Sequence, residues 1–195
     1  MNKQEDKKNL IIQTALAMFL KEGYDRVSVM DICKTCGITK PTFYKYVTSK
    51  EQLLRYYFRG TVEDLSACIR AMDPTNYWEI VCTGLTFTMQ KSVRLGPGLY
   101  SRYWILNFNE KSEAPPYMSE ARTMTIEAIQ KGQKAGQIKN PSDPALLYLT
   151  CRNVGLGYAL KWCMSNGAFD LIDRCRADFA AILQVDDHQQ RGCNG

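Results

Sequence analysis

Residues 28–50 read SVMDICKTCGITKPTFYKYVTSK, and their spacing decides the fold. Val29, Ile32, Cys33 and Cys36 recur at i, i+3, i+4 and i+7, which is one apolar stripe along a helix. Ser28 stands where an N-cap belongs, and Asp31 sits near the positive end of the helix dipole. Gly37 ends the helix, because glycine reaches positive φ without a steric penalty. A second helix starts within three residues, with Thr39 as its cap. So short a gap holds a turn and no packed loop. This is the helix-turn-helix plan, whose second helix is shaped for the major groove.

Working outward, Ile11–Tyr24 (IIQTALAMFLKEGY) precedes this unit, and GITKPTFYKYVTSKEQLL carries Phe43, Tyr44 and Tyr46 ahead of Ser49-Lys50-Glu51. Over roughly residues 8 to 55 the chain resembles the DNA-binding signature of TetR-family transcriptional repressors. Beyond that the resemblance is architectural, an all-helical chain of the usual length. The resemblance implies Thr39–Thr42 as groove-facing and Tyr44, Tyr46 and Lys50 as clamps on the DNA backbone. At Met30 the sequence departs from members that carry a long polar or basic residue there, and methionine cannot make that polar contact.

The residues add their own reasons. Phe43 and Val47, with Ile38, face the core of the head, so Lys40, Pro41, Thr42, Tyr44 and Lys45 form the opposite surface. Lys40 reaches guanine O6/N7, while Pro41 and Thr42 suit a thymine methyl or a base edge. Tyr44, Lys45 and Tyr46 are placed for phosphates. Lys50, in the first turn of the next helix, is the leading candidate for a phosphate contact, and the amides at Ser28 and Val29 offer a second anion site. Charge follows the same line. Residues 1–60 hold 11 of the 25 Lys/Arg and 6 of the 20 Asp/Glu, so the remaining 14 and 14 cancel and the whole net charge of +5 lies on this segment. Phosphate neutralisation dominates sequence-independent DNA binding.

Gly and Pro punctuation divides the rest into helices, about nine in the whole chain, with no strand pattern. The fold class is all-α: a three-helix head (1–55), a helical effector-binding and dimerisation body (56–185) and a frayed tail (186–195). Ser49-x-x-Gln52 reads as a capping box opening a helix that runs to about Met72 and joins head to body. Asp73-Pro74 reads as the start of the next helix. Gly96-Pro97-Gly98 breaks the chain, and helices follow near 99–109, 117–135, 144–164 and 169–183.

The helix from Pro144 carries only Arg152 and Lys161 as charges, and apolar residues lie all around it, so it is buried on all sides. One side meets the core and another a second subunit; TetR-like chains dimerise through their last two long helices. Leu149, Val154, Leu156 and Leu160, with Ile172, Cys175 and Phe179 of the last helix, are the expected interface, and Gly155 and Gly157 permit close approach. The expected effector cavity is lined by Trp78, Phe87, Tyr100 and Tyr103, with Trp104, Phe108, Met124 and Tyr158. Glu79, Arg94 and Arg102 are candidate polar anchors, and the effector is expected to be largely apolar.

Other classes are disfavoured. The only histidine, His188, has no nucleophile partner, no Gly-rich phosphate loop follows a strand, and Cys33-x-x-Cys36 lacks the further ligands a structural zinc needs. The reading is therefore of a non-enzyme with no metal or cofactor. Charge-free stretches such as Ile80 to Gln90 are far short of the ~20 residues that span a bilayer. No secretory pattern opens the chain, and a cytoplasmic protein is expected. The function expected is a ligand-responsive homodimeric repressor on a palindromic operator in double-stranded DNA. The alternative is a helical protein-interaction module with a degenerate head.

Overall fold

The structure, a computed structural model, describes residues 3–59, 61–109 and 118–186. Its helices are α1 (Lys3–Glu22), α2 (Val29–Cys36), α3 (Lys40–Tyr46), α4 (Lys50–Arg59), α5 (Thr61–Ala71), α6 (Tyr77–Asn109), α7 (Met118–Lys134), α8 (Pro144–Met164) and α9 (Leu171–Leu183), with a 3-10 turn at Tyr24–Arg26. No strand occurs among the described residues. The expected continuity from Ser49 to Met72 turns on Gly60, which lies outside the described residues, as do His188 and Cys193.

Two compact units divide the chain, residues 1–60 with 98–111 and residues 61–97 with 112–195. In the first, Ile11, Ala15, Leu16 and Phe19 of α1 keep helical spacing and meet Ile32, Cys33, Phe43, Val47, Leu53 and Leu54, all buried. Residues of α1, α2, α3 and α4 thus close one core. The segment after Gly98 is tied to it by polar contacts as well. Arg102 donates to Asp25 (2.5 Å), and Arg55 donates to the Leu106 carbonyl at 3.3 Å.

In the second unit α6, α7, α8 and α9 share a core that includes Val81, Leu85, Ile129, Cys151, Trp162 and Phe179. Buried hydroxyls of α6 and α7 bond within their own helices: Thr86 donates to the Cys82 carbonyl at 2.8 Å and Thr125 to the Ala121 carbonyl at 2.7 Å. A buried polar group so satisfied costs little. α6 breaks at Gly96, whose φ of 77° and ψ of 164° lie outside the helical region, the break the Gly-Pro-Gly run announces.

Three local expectations are corrected. Asp73-Pro74 does not open a helix. The Asp73 carboxylate accepts from the Thr75 amide and hydroxyl (2.9 and 2.7 Å), closing a turn, and α6 starts at Tyr77 behind Asn76, whose side chain accepts from the Glu79 amide at 3.2 Å. The capping box at α4 is shifted. Ser49 accepts from the Gln52 amide (3.2 Å), but Gln52 Oε1 accepts from the amide and hydroxyl of Thr48 (2.8 and 2.6 Å). Gly155 serves the chain's own core: a Cβ there would meet Met89 Cε at 2.5 Å and Phe179 Cζ at 3.3 Å.

Candidate nucleic-acid interface

The turn between α2 and α3 is built by caps at both ends. Ser28 Oγ accepts from the Asp31 amide (3.2 Å), while the Asp31 carboxylate accepts from the Ser28 amide (2.9 Å) and hydroxyl (2.6 Å), a reciprocal capping box. Those bonds from Ser28 hold the Asp31 carboxyl below the usual carboxylate range. At the other end Gly37 takes φ 63°, and the Ile38 amide reaches back to the Cys33 carbonyl at 2.9 Å. Thr39 then caps α3. Its Oγ1 accepts from the Thr42 amide at 3.4 Å and lies 2.9 Å from the Thr42 hydroxyl.

Held this way, α3 buries Phe43 completely and turns its other face out. Lys40, Pro41, Tyr44 and Lys45 are exposed, with Tyr44 51% exposed, and Thr42 and Tyr46 are half-buried. Five of the expected DNA-facing residues, Lys40, Pro41, Thr42, Tyr44 and Lys45, thus share one helix surface with Thr39 at its start.

Ser28 and Lys50 are placed otherwise. The single N–H of Ser28 is spent on Asp31, and the carboxylate beside it would repel a phosphate, so the expected anion site there is corrected. The Val29 amide is one of the open donors at any helix start. Lys50 folds inward: its ammonium donates to the carbonyls of Tyr24 (2.8 Å) and Val27 (3.0 Å) and lies 4.0 Å from the centre of the Tyr24 ring. It staples α4 to the link between α1 and α2, and one of its three donors remains for another partner. Tyr24 is itself pushed above the ordinary phenol range by burial and then by the Glu51 carboxylate. No signal within the motif window reports this staple, because its acceptors lie 26 and 23 residues away.

The body residues expected around an effector are divided. Tyr100, Tyr103 and Trp104 pack on one another in the first unit, with Tyr100 and Tyr103 stacked at 6.4 Å. The side chain of Phe108 lies outside the described residues. Within the second unit, Trp78 is 1% exposed core beneath the Arg176 guanidinium, and Phe87 lies below Lys91. Met124 lines a cavity of about 190 Å³ with Ile69, Tyr77 and Ile80. Tyr158 lines another of about 430 Å³ between α8 and α9, with Phe169, Lys161, Asp170, Asp173 and Arg174. Of the candidate anchors, Glu79 is paired with Arg176 across α6 and α9, Arg102 is paired with Asp25, and Arg94 is exposed.

The expected dimer residues also divide. Leu149 (52% exposed) and Leu156 (38%) point outward on α8, and Val154, Leu160 and Ile172 are half-buried. Cys175 and Phe179 are fully buried within the single chain, so they are core residues, a correction. Burial pushes the thiols of Cys151 and Cys175 up to about 12, which leaves them unreactive. Among the described residues, no three His, Cys, Asp or Glu side chains gather as metal ligands. No helix of the described residues is long and apolar enough to cross a membrane.

Residues 11–57 match the family described as bacterial regulatory proteins, tetR family. The chain is similar to the uncharacterized HTH-type transcriptional regulator YuxN of Bacillus subtilis, 46% identical over 61 residues, which cover 29% of this chain and 21% of that protein. It is also similar to the HTH-type dhaKLM operon transcriptional activator DhaS of Lactococcus lactis, 34% identical over 64 residues, covering 30% of this chain and 34% of that one. These matches span about a fifth to a third of the length of the curated relatives. The whole fold is similar to that of reduced E. coli NemR, with a TM-score of 0.61 and 16% identity over 92% of this chain and 98% of the other.

Proposed function

We propose that this chain, whose residues 11–57 form a tetR-family DNA-binding domain on a TetR-like all-helical fold, is a homodimeric transcriptional repressor released from a palindromic operator by a small molecule. The observation that carries the reading is α3. It is capped at Thr39 and anchored by the fully buried Phe43, and it presents Lys40, Pro41, Thr42, Tyr44 and Lys45 on one surface. In this reading Lys40 meets a guanine edge, and Tyr44, Lys45 and Tyr46 hold phosphates. Lys50 acts mainly as the strut behind them.

The dimer is supported by α8. Its inward face, with Cys151, Ala159 and Trp162, is buried, yet Leu146, Leu149 and Leu156 stand 57%, 52% and 38% exposed on the other face. An apolar stripe of that kind marks a protein interface. Two heads in a symmetric dimer would set their α3 helices about 34 Å apart, one turn of DNA. Repression follows from occlusion of a promoter.

The cavity of about 430 Å³ between α8 and α9 is of the size that holds a small molecule. Its aromatic wall of Tyr158 and Phe169, with Lys161, Arg174 and two carboxylates, suits an effector more amphipathic than the largely apolar one the sequence suggests. Such a ligand lowers DNA affinity only by favouring the unbound arrangement of heads. Footprinting on sites selected from random DNA tests the proposal. Protection of two half-sites about one helical turn apart is expected, and protection of a single unpaired site would contradict the symmetric dimer.

A further inference from the structure

Met30 is the second residue of α2, and at 56% exposure it is the most exposed large apolar side chain described in the first unit. The packing of the head does not call for it. Ile32 and Cys33 fill the core side of α2, and the polar groups around Met30 are already satisfied: Ser28 and Asp31 close on each other, and the Thr35 hydroxyl donates to the Asp31 carbonyl at 3.0 Å. Pro41 is likewise exposed, in the first turn of α3, and has no donor to offer. Set against a phosphate, a thioether would bury apolar surface next to an anion and gain nothing. Against a base edge it has one apolar feature to meet, the C5-methyl of thymine. Methionine is long, unbranched and polarizable, and it fits itself to such a group.

We propose that Met30 is a specificity-determining residue that reads one thymine methyl in each operator half-site by apolar contact. The proposal rests on the assignment of the head to DNA, and it gives that head a preference for thymine over uracil at one position of each half-site.

The test uses the full-length protein and a selected operator in which each thymidine is replaced singly by 2′-deoxyuridine, which removes one methyl and leaves the base pairing intact. At one position per half-site the wild-type protein should lose about fourfold in affinity, the worth of one buried methyl (~0.8 kcal/mol), and about 16-fold when both half-sites are changed. Met30→Ala and Met30→Gln should bind thymidine and deoxyuridine equally at that position while keeping every other penalty. Both substitutions sit on an exposed helical position, and unchanged melting curves would show that they fold. Selective binding with the wild-type pattern of penalties intact in both variants would overturn the role of Met30 alone. Absence of any selective binding by the wild-type protein would overturn the assignment of the head, and this proposal with it.

Discussion

Two expected roles, strut and phosphate clamp, compete for the three N–H donors of Lys50. Two of the donors are bonded to Tyr24 and Val27 carbonyls, and charge-assisted bonds of this sort each contribute more than neutral ones. Lys50→Ala should therefore lower the stability of the protein by about 2 kcal/mol in urea unfolding. The slope of log affinity for DNA against log salt should hardly change. A slope smaller by about 1.8, which is about 0.9 for each head of the dimer, would instead identify Lys50 as a phosphate clamp. The reason the strut was illegible is general at this scale. Caps and turn glycines act over three or four residues, so Ser28, Gly37 and Thr39 are read directly from their spacing. A partner 26 residues away leaves no mark in the local pattern.

At the scale of helices, the α2 box joins sequence, stability and pH. Bonds from Ser28 depress the folded pKa of Asp31 below its unfolded value of about 3.9. A depressed carboxyl stabilises the fold above the unfolded pKa, and that contribution is lost as pH falls through the folded value. Asp31→Asn should accordingly melt lower than wild type at pH 7, and the gap between the two should narrow steadily in melts below pH 4. A constant gap would mean that the charge is irrelevant to the cap. Where two helices touch, a different chemistry rules. A Cβ on Gly84 of α6 would stand 2.1 Å from the buried Thr125 hydroxyl of α7, so Gly84→Ala should cost about 1–3 kcal/mol in unfolding titrations. The helix α2 was legible from its strong 3.6-residue stripe, whereas α8, apolar on every side, was legible from its Asp-Pro start and its length. The start of α6 was misread because Asp-Pro serves a turn as readily as an N-terminus, and its side-chain bonds to Thr75 decide the matter.

For the whole molecule, the all-α class and the helix-turn-helix head follow from pattern and charge, whereas the allocation of α8 and α9 does not. A helix apolar on every side tells that both faces are covered, not which face is covered by its own chain. Burial sorts them: Gly155, Cys175 and Phe179 belong inside, Leu146, Leu149 and Leu156 outside. The proposed dimer is thus expected to fall to a monomer by light scattering in Leu149→Glu/Leu156→Glu, with the helical circular dichroism retained. A dimer of unchanged mass would place the interface elsewhere. The effector set was the least legible part, since large aromatic side chains serve a packed core and a cavity lining equally well, and Trp78 under Arg176 is core.

The assignment of α3 to DNA is tested most directly by fluorescence anisotropy on a selected operator at two salt concentrations, with wild type beside Lys40→Ala/Tyr44→Ala. The account predicts selective binding that weakens steeply with salt and is lost in the variant. Binding that ignores salt, or that survives the double substitution undiminished, would contradict it.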